Sequence, residues 1–211
     1  DTAPADPREP RWVMRAVWGI AALSATGGLL VCGSLANRAV MMALVAAGVC
    51  VAAWGWVADW RMVRGCVRGH PGEWLVWLVA LPPALAAVTW TQQMQVNDDH
   101  VIYHALVERM LQTGEMNEPF SLRRVVTYGG HTFLQGLVQC VGSAKKGHAL
   151  DMMIGRVLLA GWLAGAVRSA RPGWQWAMAV MGAVALIAPV PRINTSPAYL
   201  GTILFLGMLT Q

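Results

Sequence analysis

Long apolar runs without charged residues recur along the chain, separated by shorter polar segments that are rich in arginine. A helix that crosses the hydrocarbon core of a bilayer needs about 20 mostly apolar residues. The pattern therefore predicts an all-α, polytopic integral membrane protein whose membrane domain occupies 11–211. About six transmembrane helices are expected by this criterion, at 16–37, 39–58, 74–93, 152–167, 174–190 and 196–211.

The amino-acid composition supports a membrane protein and limits the kinds of partner that the chain is expected to bind. Hydrophobic residues make up 56% of the chain and charged residues 13%, against about 25% charged in soluble domains. The net charge is +5, but the arginines lie at the ends of apolar runs and form no basic face, which favours membrane lipids as partners and excludes nucleic acid. Residues 1–10 are polar and proline-rich and predict a disordered lead-in. Because the chain begins without Met and ends inside an apolar run, we expect a fragment of a longer protein.

The segment 94–150, between the third and fourth predicted spans, is different because it is rich in acids and histidines. It contains two amphipathic helix candidates. In the first, at 100–112, His104 and Glu108 lie on the polar face and Ala105, Leu106 and Met110 on the apolar face, which is typical of a helix in the membrane interface. The second, at 132–141, has a polar side formed by His131, Gln135 and Gln139, and its pattern allows it to lie on the membrane or to span it.

The distribution of arginines favours the surface position for the second helix. In that arrangement most of the arginines that flank the spans fall on one side of the membrane, which the positive-inside rule identifies as the cytoplasmic side. These are Arg8, Arg11, Arg15, Arg61, Arg64, Arg68, Arg168 and Arg171, whereas Arg38 and Arg192 fall on the opposite side. The loop 94–150 is therefore expected to be extracytoplasmic, in a bacterial inner membrane.

Acidic residues directly after the third span are the first candidates for chemistry. Asp98 and Asp99 can act as a general base or bind a divalent cation, and they can equally cap and solvate the helix that follows. His104 is one further turn along and can complete a metal site with the two carboxylates. The alternative for His104 is the polar face of an interfacial helix.

Three arginines are candidates for binding an anion. Arg123 and Arg124 can hold a phosphate, or they can contact lipid head groups. Arg156 lies about one turn into the fourth predicted span, where a charge is costly and is often functional. Its alternative role is structural, with the side chain extended to the nearby interface.

The run DHVIYHA at 99–105, followed by RMLQTG at 109–114, resembles the first external loop of the GT-C-type glycosyltransferases. This superfamily includes protein O-mannosyltransferases and lipid A aminoarabinose transferases. Its members place an acidic residue after a span and a tyrosine four residues later, which Asp99 and Tyr103 match here. A second surface helix follows, matched by 132–141, and then a span with an arginine near its start, matched by Arg156.

The resemblance implies transfer of a sugar from a polyprenyl-phosphate donor to an acceptor outside the cytoplasm. It implies Asp99 as the catalytic base, Asp98 as its helper or as a metal ligand, and Tyr103 as a substrate-binding residue. The donor phosphate would be bound by Arg123, Arg124 and Arg156. No cofactor is defined beyond a divalent cation at Asp98, Asp99 and His104.

Two features depart from the family pattern. The usual lysine-proline-proline segment is replaced by TYGGH at 127–131, so that His131 becomes a substrate-binding candidate, and the acidic loop follows the third span rather than the first. A polytopic transporter or flippase is the alternative function, and the Pro82-Pro83 pair inside the third span favours it, because broken helices often line transport sites. A non-catalytic membrane protein is the third alternative.

Overall fold

The computed structural model describes residues 11–58, 71–89, 104–116, 130–142, 146–187 and 198–209, and their regular structure is helical throughout. A π-helical turn, Leu150–Gly155, continues directly into α6. In chain order the α-helices are α1 (Arg11–Cys32), α2 (Arg38–Ala58), α3 (Pro71–Thr89), α4 (Ala105–Thr113), α5 (Gly130–Val141), α6 (Arg156–Ser169), α7 (Gln175–Ile187) and α8 (Ala198–Leu209).

Three helices are long and apolar enough to cross a membrane. They are α1, α2 and the continuous helix Leu150–Ser169 that joins the π-turn to α6. The helices α7 and α8 are apolar but have only 13 and 12 residues within the described segments. The all-α class predicted from the sequence is therefore confirmed for the described residues, the three candidate spans support association with a membrane, and the count of six spans stays a prediction.

The corner between α1 and α2 shows why the first span ends earlier than predicted. The backbone N–H of Leu35 donates to the Leu30 carbonyl, and Ser34 adopts a left-handed conformation with φ 57°, which together terminate α1 at Cys32. Asn37, predicted as the last residue of the first span, instead caps α2 by accepting the N–H of Val40 at 3.1 Å.

The larger hydrophobic core lies where α3, α6 and α7 pack together, with α8 and the first half of α1 against them. The rings of Trp12 and Trp77 are stacked, with their centres 6.3 Å apart. Gly161 lies against the Trp12 ring, and a side chain at this position would collide with that ring. At the beginning of α3, Glu73 accepts two hydrogen bonds from Arg168 in the last turn of α6. These contacts make α3 and α6 an antiparallel pair.

A smaller core covers the corner between α1 and α2. Phe133 of α5 packs onto Gly27 of α1, and Gly136 packs against the methyl groups of Met41 and Met110. Because Gly130 lies at Ser24 and Phe133 at Gly27, α5 runs alongside the second half of α1 in the same direction. The position of α5 relative to the membrane, along the surface or across it, stays a prediction.

The buried face of α4 differs from the predicted one. His104 and Val107 are buried with Leu106, Met110 and Leu111, whereas Ala105 is exposed. The face is rotated relative to the expected apolar stripe because Val107 and Leu111, four residues apart, both pack toward α5 and the α1–α2 corner. His104 therefore lies inward, and Glu108 remains on the exposed side, where it accepts a hydrogen bond from Gln112.

Candidate functional site

Buried polar side chains are concentrated around the π-turn and the two short helices beside it. A π-helical turn closes hydrogen bonds between residues five apart, and the N–H of Arg156 donates to the carbonyl of Asp151. In a regular α-helix of about 3.6 residues per turn, two residues five apart would lie on different faces. The π-turn thus brings the side chains of Asp151 and Arg156 to the same face, toward α8.

Asp151 is buried and caps the start of α8 from a distant part of the chain. Its Oδ1 accepts the N–H of Leu200 at 2.7 Å, and the N–H groups of Ala198 and Tyr199 also stabilise the carboxylate. The first N–H groups of a helix have no partner within it, and they carry partial positive charge. These donors offset part of the cost of burying the carboxyl group of Asp151.

Gly155 allows this close approach. A Cβ added at Gly155 would lie 2.7 Å from the backbone nitrogen of Leu200 and 3.1 Å from its Cα. Any larger residue would push α8 away from the π-turn and lengthen the hydrogen bond between Asp151 and Leu200. A glycine here is thus needed for the contact between the two elements.

Arg156 is buried and is held by Tyr199 of α8. One guanidinium nitrogen donates to the Tyr199 hydroxyl at 2.7 Å, and the guanidinium carbon lies 4.6 Å from the centre of the Tyr199 ring. The Tyr199 hydroxyl in turn donates to the carbonyl of Leu186 in α7 at 3.2 Å. This hydrogen-bonded chain fixes the guanidinium between three helices, and none of its partners in the described residues is a carboxylate.

A second group of polar side chains lies between α4 and α5. Gln139 donates from its amide to Nδ1 of His104 at 3.2 Å, in a buried contact. Gln135 donates to Nε2 of His131 at 3.1 Å on the same helix. The side of α5 that the sequence predicted to face water or head groups is therefore largely buried, because α4 and its own neighbouring side chains supply hydrogen-bond partners.

The two groups are neighbours in the fold. The helix α5, which carries His131, packs against the π-turn that carries Asp151. His148, in the turn that leads into the π-helix, is also buried, and its carbonyl accepts the N–H of Met152 at 2.9 Å. The polar site thus combines residues of α5, the π-turn, α6 and α8.

Burial also changes the acidity of the Cys140 thiol at the end of α5. Desolvation raises the pKa of the Cys140 thiol; the charge of Arg38 opposes this change, and that of Glu108 adds to it. Cys140 is partly accessible, and it packs against the smaller core. Its thiolate is therefore less populated at neutral pH than that of an ordinary cysteine.

The structure tests the predicted site residues unequally. His104, His131 and Arg156 are described, but Asp98, Asp99, Tyr103, Arg123 and Arg124 lie outside the described residues. The proposed metal set of Asp98, Asp99 and His104 stays a prediction, and Nδ1 of His104 is already engaged with Gln139. Among the described residues, no group of three or more histidine, cysteine or acidic side chains is arranged to hold a metal.

Sequence reasoning missed Asp151, Tyr199 and His148. Asp151 falls between the predicted loop, which ends at Leu150, and the fourth predicted span, which begins at Met152. A signal was nevertheless present in DMMIGR at 151–156, where an acid and a base five residues apart enter an apolar run.

Comparison of the chain with protein-family models, curated proteins and solved structures returned no match.

Proposed function

We propose that the chain is a membrane glycosyltransferase-like protein that transfers a sugar from a polyprenyl-phosphate donor to an acceptor outside the cytoplasm. It would lie in a bacterial inner membrane with the loop 94–150 extracytoplasmic. The observation that supports this proposal best is the buried cation Arg156, because a lipid-linked phosphate is an anion that reaches a site inside a membrane protein.

The environment of Arg156 is suited to an anion. The guanidinium lies in the first turn of α6 within a candidate span, and its described side-chain partner is the neutral hydroxyl of Tyr199. A charge inside a membrane is costly and usually marks a functional position. Arg168, at the other end of the same helix, differs because Glu73 already balances its charge. Arg156 is therefore the better candidate for the donor phosphate.

The chemical step in this proposal rests on the resemblance. An acceptor hydroxyl must lose a proton as it attacks the anomeric carbon, and Asp99 would take that proton, with Asp98 as helper or metal ligand. Arg123 and Arg124 would assist with the donor phosphate, and Tyr103 and His131 would contact the substrate. His131 is a candidate for this role because it lies on α5, which packs against the π-turn that precedes Arg156.

Phosphate binding is tested with the full chain in lipid nanodiscs. Arg156→Gln should weaken binding of polyprenyl phosphate roughly tenfold to a hundredfold, the range expected for one lost hydrogen bond to a charged group. Arg168→Gln is the matched control and should bind as wild type does. Native mass spectrometry with polyprenyl phosphate and with uncharged polyprenol measures both. Equal affinity of wild type for the two lipids would refute the proposed role of Arg156.

The transfer step has its own test. Asp99→Asn retains the size of the side chain and its capping ability but cannot accept the proton. Loss of a general base typically costs a hundredfold to ten-thousandfold in rate, so formation of labelled product in membranes should fall by about that factor. Asp98→Asn should cost less. Near-normal transfer by both variants would remove the acidic pair from the mechanism.

A transporter or flippase is the second candidate, and one observation favours it. Asp151 and Arg156 lie inside a candidate span around an irregular helical turn, and α5 is a short helix beside a span. Transporters build substrate sites from such elements. In sealed vesicles, movement of the lipid-linked sugar to the opposite leaflet without any transfer product would favour this function over the transferase.

A further inference from the structure

Three residues around the π-turn keep polar atoms without a hydrogen-bond partner in the described part of the chain. They are both ring nitrogens of His148, Oδ2 of Asp151 and Nε of Arg156. The exposed fractions of these residues are 7%, 4% and 9%. Buried polar atoms in folded proteins are nearly always satisfied. Three such side chains within nine residues indicate that this segment binds a polar group.

The three residues follow one another along one helical stretch of the chain. His148 precedes Asp151 by three residues, about one helical turn, and the hydrogen bond from Met152 to its carbonyl keeps this turn helical. The π-turn then places Arg156 on the face of Asp151, and both side chains contact the first turn of α8. Irregular π-turns inside α-helices occur frequently at functional sites.

The available donors and acceptors define the class of ligand. Oδ2 of Asp151 accepts, Nε of Arg156 donates, and a neutral imidazole at His148 offers one donor and one acceptor. A hydroxyl group also donates and accepts, so a group with several hydroxyls can satisfy all of these atoms. A phosphate only accepts, so it offers no donor to Oδ2 of Asp151. The chemistry therefore matches a sugar better than a second phosphate.

We propose that His148, Asp151 and Arg156 bind the hydroxyl groups of the sugar that the lipid donor carries. This inference rests on the proposed function and adds to it the residues that recognise the sugar. Arg156 contributes Nε to the sugar, while another nitrogen of its guanidinium remains on Tyr199. Arg156 is then shared between the sugar and the lipid phosphate, whereas His148 and Asp151 contact the sugar alone.

The experiment compares two kinds of lipid on the full chain in nanodiscs. The probes are polyprenyl phosphate alone and polyprenyl phosphates that carry mannose, glucose or aminoarabinose. Wild type should bind at least one sugar-bearing lipid more tightly than the bare lipid. His148→Ala and Asp151→Asn should remove that gain, roughly fivefold or more, and leave binding of the bare lipid within about twofold.

Conservative variants separate recognition from folding. Asp151→Asn keeps an acceptor for Leu200, and His148→Asn keeps one donor and one acceptor, so it should restore part of the gain that His148→Ala loses. Thr132→Ala, which alters a buried polar residue of α5, is the control and should bind both lipids as wild type does. Thermal unfolding in detergent checks that each variant is folded.

The outcomes distinguish this inference from the proposed function. If wild type binds neither lipid, the proposed function fails and the inference fails with it. If wild type binds the bare lipid and all three sugar-bearing lipids equally, only the inference is refuted. If the gain persists in His148→Ala and Asp151→Asn, the sugar binds elsewhere, and the three side chains are satisfied by buried water only.

Discussion

Two helices of spanning length, α2 and the continuous helix Leu150–Ser169, are similar in hydropathy and opposite in burial. Only 6% of the span residues in α2 are buried, against 61% in the other helix. The α2 sequence has no charged residue after Arg38, whereas the buried helix carries Asp151, Arg156 and Arg168. Asp151 and Arg156 are buried, so these two charged groups lie where protein surrounds them, as expected when lipid cannot supply partners, whereas Arg168 at the end of the helix is exposed.

The contacts of α2 explain its simple sequence. It touches the smaller core near its first turns, through Met41 and Leu44, and then continues with Val49, Val51 and Trp54 exposed. An exposed apolar surface of this kind is suited to contact with lipid. The buried helix, in contrast, meets α3, α7 and α8, and it finds polar partners in Glu73 of α3 and Tyr199 of α8. The Leu186 carbonyl of α7 accepts a hydrogen bond from the Tyr199 hydroxyl.

The largest expected effect is on membrane insertion and follows from placing a charge on α2, the exposed helix. Val49→Arg in α2 is expected to disfavour membrane insertion by about 2.5–3.5 kcal/mol, the cost of an arginine near the centre of a span. Val49→Leu, the control, should insert as wild type does. A glycosylation-based insertion assay measures both variants. Unchanged insertion of Val49→Arg would show that α2 is not in contact with lipid at this position, and the comparison would fail.

Two glycine substitutions should change stability in opposite directions. Gly155→Ala forces a Cβ against the backbone of Leu200 and should destabilise the protein by roughly 1–3 kcal/mol, the usual cost of overpacking. At Gly48 in α2 a Cβ meets no atom within 4 Å, so Gly48→Ala should stabilise by about 0.5–1 kcal/mol through backbone entropy. Thermal unfolding in detergent compares the two. Equal shifts of the same sign would contradict the close packing of α8 on the π-turn.

The smallest expected effect is a shift in the pH dependence of thiol labelling, which compares Cys140 of α5 with Cys50 of α2. Because burial raises the pKa of Cys140, its labelling by a water-soluble thiol reagent should increase only at a higher pH than labelling of an ordinary cysteine. Arg38→Gln removes an opposing charge and should shift the profile further upward. Cys50, exposed on α2, should resist the water-soluble reagent in membranes at every pH. Single-cysteine variants separate the two signals.

A shift of the Cys140 labelling profile toward lower pH would contradict this expectation. A Cys140 profile at or below the ordinary cysteine range, about 8.5, would show that the charge of Arg38 outweighs burial. The raised pKa of Cys140 also makes the stability of the fold depend on pH. Because the pKa in the folded state is raised, the protonated thiol of Cys140 stabilises the fold at low pH, and this contribution is lost as the pH rises through that pKa.

The sequence predicted those parts of the fold that depend on local hydropathy. The helix α2 was predicted at 39–58 and observed as Arg38–Ala58, because an uninterrupted apolar run defines a span by itself. The end of α1 was wrong by about one turn, since a left-handed Ser34 terminates the helix where the apolar pattern continues. The Ser34 hydroxyl also donates a hydrogen bond to Glu115, 81 residues away, and local periodicity does not indicate such a contact.

The polar site was harder to predict because its bonds are non-local. Arg156 was identified from its position in an apolar run, but its partner Tyr199 is 43 residues away, and the partner of Asp151 is 49 residues away. Nothing in local periodicity indicates that a carboxylate will cap another helix or that a π-turn will form. His104 was identified as a candidate ligand, and its contact with Gln139 depends on how α4 packs on α5.

The ion pair between Glu73 and Arg168 has a consequence for biosynthesis. The two residues are 95 positions apart, and their side chains join the first turn of α3 to the last turn of α6. Chains grow at about 5–20 residues per second, so roughly 5–20 s separate the synthesis of the two partners. During that interval α3 cannot be anchored by Arg168, and the final position of α3 is reached only after α6 has left the ribosome. Assembly of the larger core is thus a late event, completed by the C-terminal third of the chain.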